Sequence, residues 1–249
     1  MVRLRTIDEA KGPEQPLSSS HNNSMYDLIK CKLHSFKQFM EFLLFKTDDS
    51  LTKESNPTDN ASEIRRQLWK YQSLLEDLAL TNSPKMFSNG GKHHASILMS
   101  VLFKYTKNEA RVYAFGFRPE LITTEPYWSA LNEYLNRSGS VLKVLVQTNQ
   151  YIDGAPLKLL KEIKRHRQKN NIEGTICVKM ISEDRKRHIS TKFGDEMCNF
   201  AIFDKDKFRY EYDPVNFKAY GSFNQPDNCE ILIQEFEEAF NDIKSTTLI

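Results

Sequence analysis

The 249-residue sequence predicts an α/β domain: a mixed, largely parallel sheet flanked by helices and preceded by an N-terminal helical extension. Three observations lead there. From Ser88 onward short apolar, β-branched and aromatic runs alternate with helical periods, the pattern of strands joined by crossover helices. Near the end, strand runs follow one another with only short turns between them, the pattern of an antiparallel hairpin. Upstream, apolar residues recur at spacings of three and four in two long stretches, as in amphipathic helices.

Taken in order, residues 1–23 are rich in Ser, Asn, Pro and charge and read as a disordered head. Ser24, with Asp27 as its capping partner, opens a helix whose stripe is Tyr26, Ile29, Leu33, Phe36, Met40 and Leu43. A polar loop over residues 48–61 interrupts it. Asn60 and Glu63, at capping-box spacing, then start a second helix with Ile64, Leu68, Tyr71, Leu75 and Leu78 on one face. Residues 24–87 are thus expected to form a helical hairpin, and residues 88–249 the α/β domain. The two stripes must be covered, either by the rest of this chain or by a partner protein, and Ile29, Leu33, Phe36 and Met40 are the candidate interface.

Within the α/β part, Ser88-Asn-Gly-Gly91 reads as a turn, followed by a helix over 93–107 and a strand over 110–117. Pro126 suits the first position of a helix over 127–136. A strand over 141–147, a helix over 155–168 and a strand over 175–181 follow. Residues 184–188 (Asp-Arg-Lys-Arg-His) read as an exposed basic loop. Strands over 197–203, 208–212 and 218–223 and a helix over 228–243 close the chain.

Composition narrows the function little. The net charge is +2 and mean hydropathy −0.57, so part of the chain is expected to be solvated. The charge is unevenly placed: residues 157–192 are strongly basic, whereas 227–242 carry Asp and Glu and no Lys or Arg. Such a division reads either as two functional surfaces, one attracting phosphate, or as ordinary solvated helix faces. The phosphate-binding candidates are Lys164, Arg165, Arg167, Arg185, Lys186 and Arg187. Four scattered cysteines, no secretory leader and no apolar run of membrane-spanning length point to a cytoplasmic protein with reduced thiols, so its sequons carry no meaning. No His, Cys or carboxylate spacing makes a metal site, and no cofactor motif is present.

One constellation carries more. Asp204 closes an apolar strand and is followed by Gly221-Ser222-Phe223-Asn224. This resembles the phospholipase D superfamily, whose motif is His-x-Lys, four residues, Asp, then Gly-Ser-x-Asn. Aligning Asp204 on the motif aspartate puts Met197 at the histidine and Asn199 at the lysine. In that family the histidine attacks phosphorus and the lysine neutralises phosphate charge, without metal. Methionine can do neither and asparagine carries no charge, so the resemblance implies a vestigial frame of Met197, Asn199, Asp204, Ser222 and Asn224 in a single-repeat, catalytically silent member. It also implies a homodimer, since single-repeat members complete their site by pairing two copies. The alternative is a metal-independent phosphodiesterase with His188 or His94 as a displaced nucleophile reaching Asp204 and Ser222. The tetrapeptide also reads as a strand end with Ser222 and Asn224 capping the last helix.

Overall fold

The computed structural model describes residues 57–150, 152–194 and 198–249. The expected head, the first helix with Ile29, Leu33, Phe36 and Met40, and Met197 lie outside these residues. Those that are described belong to a unit spanning Ser55–Ile249.

Helix α1 (Pro57–Leu80) begins before the expected capping box. Strand β1 (Met86–Asn89) follows, where only a turn was expected. Helix α2 (Lys92–Lys104) and β2 (Glu109–Ala114) come next. A one-turn α3 (Pro119–Ile122) then leads into α4 (Glu125–Leu135). Strand β3 (Ser140–Val146), helix α5 (Ala155–Lys169) and β4 (Gly174–Met180) form a crossover. Helix α6 (Glu183–Phe193) precedes β5 (Asn199–Phe203), β6 (Lys207–Asp213) and β7 (Lys218–Ser222), and α7 (Pro226–Phe240) and a two-residue β8 (Thr246–Thr247) end the unit.

The strands form one mixed sheet in the order β1-β7-β6-β5-β2-β3-β4-β8. Parallel pairing is confined to β2-β3 and β3-β4, and the other neighbours are antiparallel. Alternation along the strands sorts side chains to two covered faces. Leu142, Val144, Ile176, Val178, Ala201 and Phe203 join the core under α2, α4 and α5. On the opposite face Arg111 and Lys143 reach Glu237 of α7. Helix α1, expected as part of a separate extension, contributes Leu75, Leu78 and Ala79 to the first core, and its Tyr71 hydroxyl donates to the Ser88 carbonyl at 3.0 Å.

The segment expected as a basic loop is α6, and its end signals are plain in retrospect. Ser182 Oγ accepts the Arg185 backbone N–H, Glu183 and Asp184 sit in the first turn, and Gly194 ends the helix with φ 65°. Its apolar stripe is thin: Ile189 is its one buried residue, with Phe193 against Phe200 and Tyr210.

Gly221 of the Gly-Ser-Phe-Asn tetrapeptide has a packing reason. A Cβ there would strike the Phe208 carbonyl oxygen and stand 2.7 Å from the Phe87 ring. The missing side chain lets Phe87 of β1 cross β7 and meet Phe223, 5.0 Å away between ring centroids. Gly221→Ala is therefore expected to lower unfolding free energy by about 1–3 kcal/mol, as overpacking does, read as a lower urea midpoint at unchanged slope.

Candidate functional site

The carboxyl ends of β1, β2, β3, β4 and β6 and the starts of β5 and β7 share one rim of the sheet, the edge where open α/β sheets place their ligands. Asn199 starts β5 at that rim, paired in register with Glu211, which is in turn paired with Ala219, itself opposite Asn89 on β1. One residue row thus runs across four strands on the face under α2 and α4.

That row is polar and buried. Glu211 is only 4% exposed, and its carboxylate accepts from Arg209 Nη2 at 2.6 Å and from Asn199 Nδ2 at 2.6 Å. Arg209 Nε donates to Asn89 Oδ1 at 3.3 Å, and Asn89 Nδ2 donates to the Phe217 carbonyl. Asn199 Oδ1 accepts the Phe115 backbone N–H at 2.7 Å and Gln147 Nε2 at 3.2 Å. Asn199 therefore ties β5 to the ends of β2 and β3 and to β6. At the position where the resembled motif carries a free cation stands a neutral side chain with its hydrogen bonds committed inside the protein.

Behind the row lies a cavity of about 90 Å³. Met99, Phe103, Tyr127, Leu131, Leu142 and Val144 form much of its apolar wall, and Asn199, Arg209 and Glu211 its polar wall. Arg118, also on the lining, lies over the Phe217 ring at 4.1 Å and donates Nη1 to the Pro214 carbonyl at 2.5 Å. Burial pushes the Tyr127 hydroxyl well above the ordinary phenol range, so it stays protonated.

Asp204 is elsewhere. It sits at the far end of β5 from Asn199, about 16 Å away at ordinary strand rise. Its backbone is left-handed (φ 56°). Its carboxylate accepts the backbone N–H groups of Lys107 (3.0 Å), Asn108 (2.8 Å) and Glu109 (3.3 Å) and pairs with Lys207 at 3.2 Å. Burial acts to raise its pKa, but these donors and Lys207 together hold it below the usual carboxylate value. Its place is structural: it pins the turn that leads into β2.

Ser222 and Asn224 cap no helix. Ser222 Oγ accepts the Asn224 N–H at 3.3 Å, and Asn224 Nδ2 donates to the Asn82 carbonyl at 3.1 Å. They fasten the chain before α7 to the turn after α1; the N-cap position of α7 is Gln225.

The two histidines do not converge on this frame. His188, on α6 and not in a loop, lies with its Nε2 3.3 Å from Glu235 of α7, on the face away from the cavity. His188 and Lys192 are one helical turn apart and both address Glu235. His94 is in the first turn of α2, its Nδ1 2.8 Å from the Gly90 carbonyl and its ring edge-on to Tyr71. That position is at the rim, at the opposite end of the sheet from Asp204.

The two basic stretches, expected to form one phosphate-binding surface, are on opposite faces. On α6, Arg185 pairs with Glu238 (3.0 Å) and Lys186 lies 4.0 Å from Glu183, while Arg187 is exposed. On α5, Lys164 is half-buried and Arg165 exposed, but Arg167 is buried, its guanidinium donating to Ser140 Oγ at 2.6 Å and to the carbonyls of Leu135 and Glu173. Arg167 holds α5 to the β3 and β4 ends and has no surface face to offer. Arg209, Glu211, Asn89, Gln147 and Arg118 were not anticipated. The signal for two of them is Lys-Phe-Arg-Tyr-Glu-Tyr-Asp at 207–213: strict alternation places Arg209 and Glu211, of opposite charge, on one face.

No family model matches the sequence, and a search of the curated proteins finds no match. Among solved structures the chain is similar to TrmBL2, an archaeal chromatin protein described as showing a novel mode of DNA binding, over 89% of this chain and 64% of that one, with TM-score 0.42 and 8% identity. It thus spans less than two thirds of that protein. It is also similar to NucT from Helicobacter pylori over 62% of this chain and 94% of that one, again with TM-score 0.42 and 8% identity. At this level the likeness carries no assignment.

Two outcomes follow from the geometry. Glu211→Gln leaves the Arg209 charge buried without its counter-ion and is expected to cost about 3–5 kcal/mol in urea unfolding, whereas Arg209→Met with Glu211→Leu should cost much less. Asp204→Asn keeps the left-handed backbone but halves the acceptor capacity. Because the folded carboxylate has a lowered pKa, wild type should exceed this variant in stability by a constant margin above about pH 5. The margin should shrink as pH falls below about 4, the unfolded value, toward the lowered one.

Proposed function

We propose that the chain is a phospholipase D-like module without the family's phosphoryl-transfer chemistry, acting as an accessory that holds nucleic acid along α5. The observation that carries the silent reading is Asn199: neutral, buried and bonded to Phe115, Gln147 and Glu211 where the motif requires a mobile cation. The sequence has methionine at the nucleophile position. The separation of His94 and His188 from Asp204 weighs against the runner-up, a phosphodiesterase with a displaced nucleophile, because nucleophile and acid must meet at one phosphorus.

Helix α5 is favoured as the contact surface on electrostatic grounds. Lys158, Lys161, Arg165 and Lys169 are exposed at spacings of three and four along about 16 Å of helix, with no ion pair to another described residue. Cations so arranged suit a phosphate backbone, whose neutralisation releases counter-ions. A homodimer, a place in a bacterial defence or DNA-processing system and a larger protein partner reached through the N-terminal segment belong to the same reading. The dimer is checked by light scattering.

The test is labelled DNA and RNA incubated with the protein in chelator at low and high salt, then run on native and denaturing gels. A salt-sensitive shift without cleavage is expected. Replacing Lys158, Lys161, Arg165 and Lys169 by alanine should weaken it at least tenfold and flatten the salt dependence by about 0.9 in log–log slope for each phosphate no longer neutralised. Replacing Arg185, Lys186 and Arg187 should do less. Cleavage that survives the chelator and vanishes in His188→Ala or His94→Ala would overturn the silent reading. Absence of any shift would overturn the nucleic-acid reading and turn attention to a protein partner.

A further inference from the structure

The cavity behind the polar row has unused donors. Tyr127 and Arg209 both line it and are 6% and 5% exposed. Arg209 uses Nε on Asn89 and Nη2 on Glu211, but its Nη1 donates to no protein atom among the described residues, and neither does the Tyr127 hydroxyl. A guanidinium N–H and a phenol O–H on two residues that line the same space favour a ligand that brings an acceptor. Most of the remaining wall is hydrocarbon, from Phe103, Leu131, Leu142 and Val144 among others.

Charge narrows the acceptor. Two guanidiniums, Arg118 and Arg209, and one carboxylate, Glu211, line the cavity, leaving its wall at +1. Arg118 also pairs with Glu120 at 3.0 Å, a residue outside the lining. Size narrows the body. About 90 Å³ holds several waters and falls below the roughly 150 Å³ that admits benzene.

We propose that this cavity binds a small monoanion with a short apolar body, of the short-chain carboxylate class. Its carboxylate accepts from Arg209 Nη1 and Tyr127, and its hydrocarbon chain lies against Leu131, Leu142 and Val144. The site is independent of the nucleic-acid reading, since α5 presents its exposed cations away from the Leu160 that reaches the cavity wall.

The experiment is titration of the full chain with butyrate and isobutyrate, with isobutanol and isobutyramide as neutral probes, followed by calorimetry and by methyl NMR of the lining residues. Saturable one-to-one binding of the carboxylates is expected, at least tenfold tighter than the neutral probes, with shifts at Leu131, Leu142 and Val144. Ala114→Leu, which fills the lined space, should abolish binding while the chain stays folded by circular dichroism. Tyr127→Phe, which keeps the ring, should weaken carboxylate binding about fivefold, the worth of one hydrogen bond. The proposal is overturned if the carboxylates give no saturable heat and no lining shifts. It is equally overturned if neutral probes bind as well, or if a folded Ala114→Leu or Tyr127→Phe protein binds carboxylate unchanged.

Discussion

The Glu211 carboxylate, buried in the middle of a four-strand row, is the constraint around which the sheet is organised. An ionised group so placed costs several kcal/mol unless it is paired and its lone pairs are filled. Arg209, two residues earlier on the same strand, supplies the charge, and Asn199 on the adjacent strand supplies the second donor. Each partner then needs partners of its own. Arg209 turns to Asn89 on β1, and Asn199 turns to the Phe115 amide and to Gln147 beyond β2 and β3. The chain of obligations links β1, β6 and β5 with the ends of β2 and β3, and fixes the rim at which the cavity opens.

The opposite face is held by ion pairs that run from exposed Glu238 to buried Arg111 and Glu235. The acidic last helix meets strand cations and α6 there: Glu237 with Arg111 and Lys143, Glu238 with Arg185, Glu235 with Lys192 and His188. Burial works against the Glu237 charge, yet the two cations keep its pKa below the ordinary value. Part of the uneven charge of the sequence is thus spent in an intramolecular seam between α6 and α7. What it leaves unneutralised is α5, whose exposed cations meet no acidic helix.

Asp204 and the Gly-Ser-Phe-Asn tetrapeptide serve the scaffold. Gly221 gives Phe87 passage, Ser222 and Asn224 tie two chain segments together, and Asp204 gathers three backbone amides at a turn. Packing and hydrogen bonding within the fold account for each of these residues.

The sequence by itself determined the order of most elements, because strand runs such as Val141–Val146 and helical stripes such as Leu157, Leu160 and Ile163 announce their periods locally. It also determined the absence of a lysine at position 199 and the alternation that puts Arg209 and Glu211 on one face. It hid α6, whose apolar stripe is nearly absent, and β1, a four-residue edge strand merged with a glycine turn. Only the tertiary structure decided which cations are free, since Arg167 and Arg185 read alike in the chain until one is buried among carbonyls and the other meets Glu238. It alone decided that the Asp204 carboxylate is spent on three backbone amides and that a cavity lies beside Arg209. Pairing, burial and separation are properties of residues distant in sequence, and a local pattern carries no record of what the fold brings beside it.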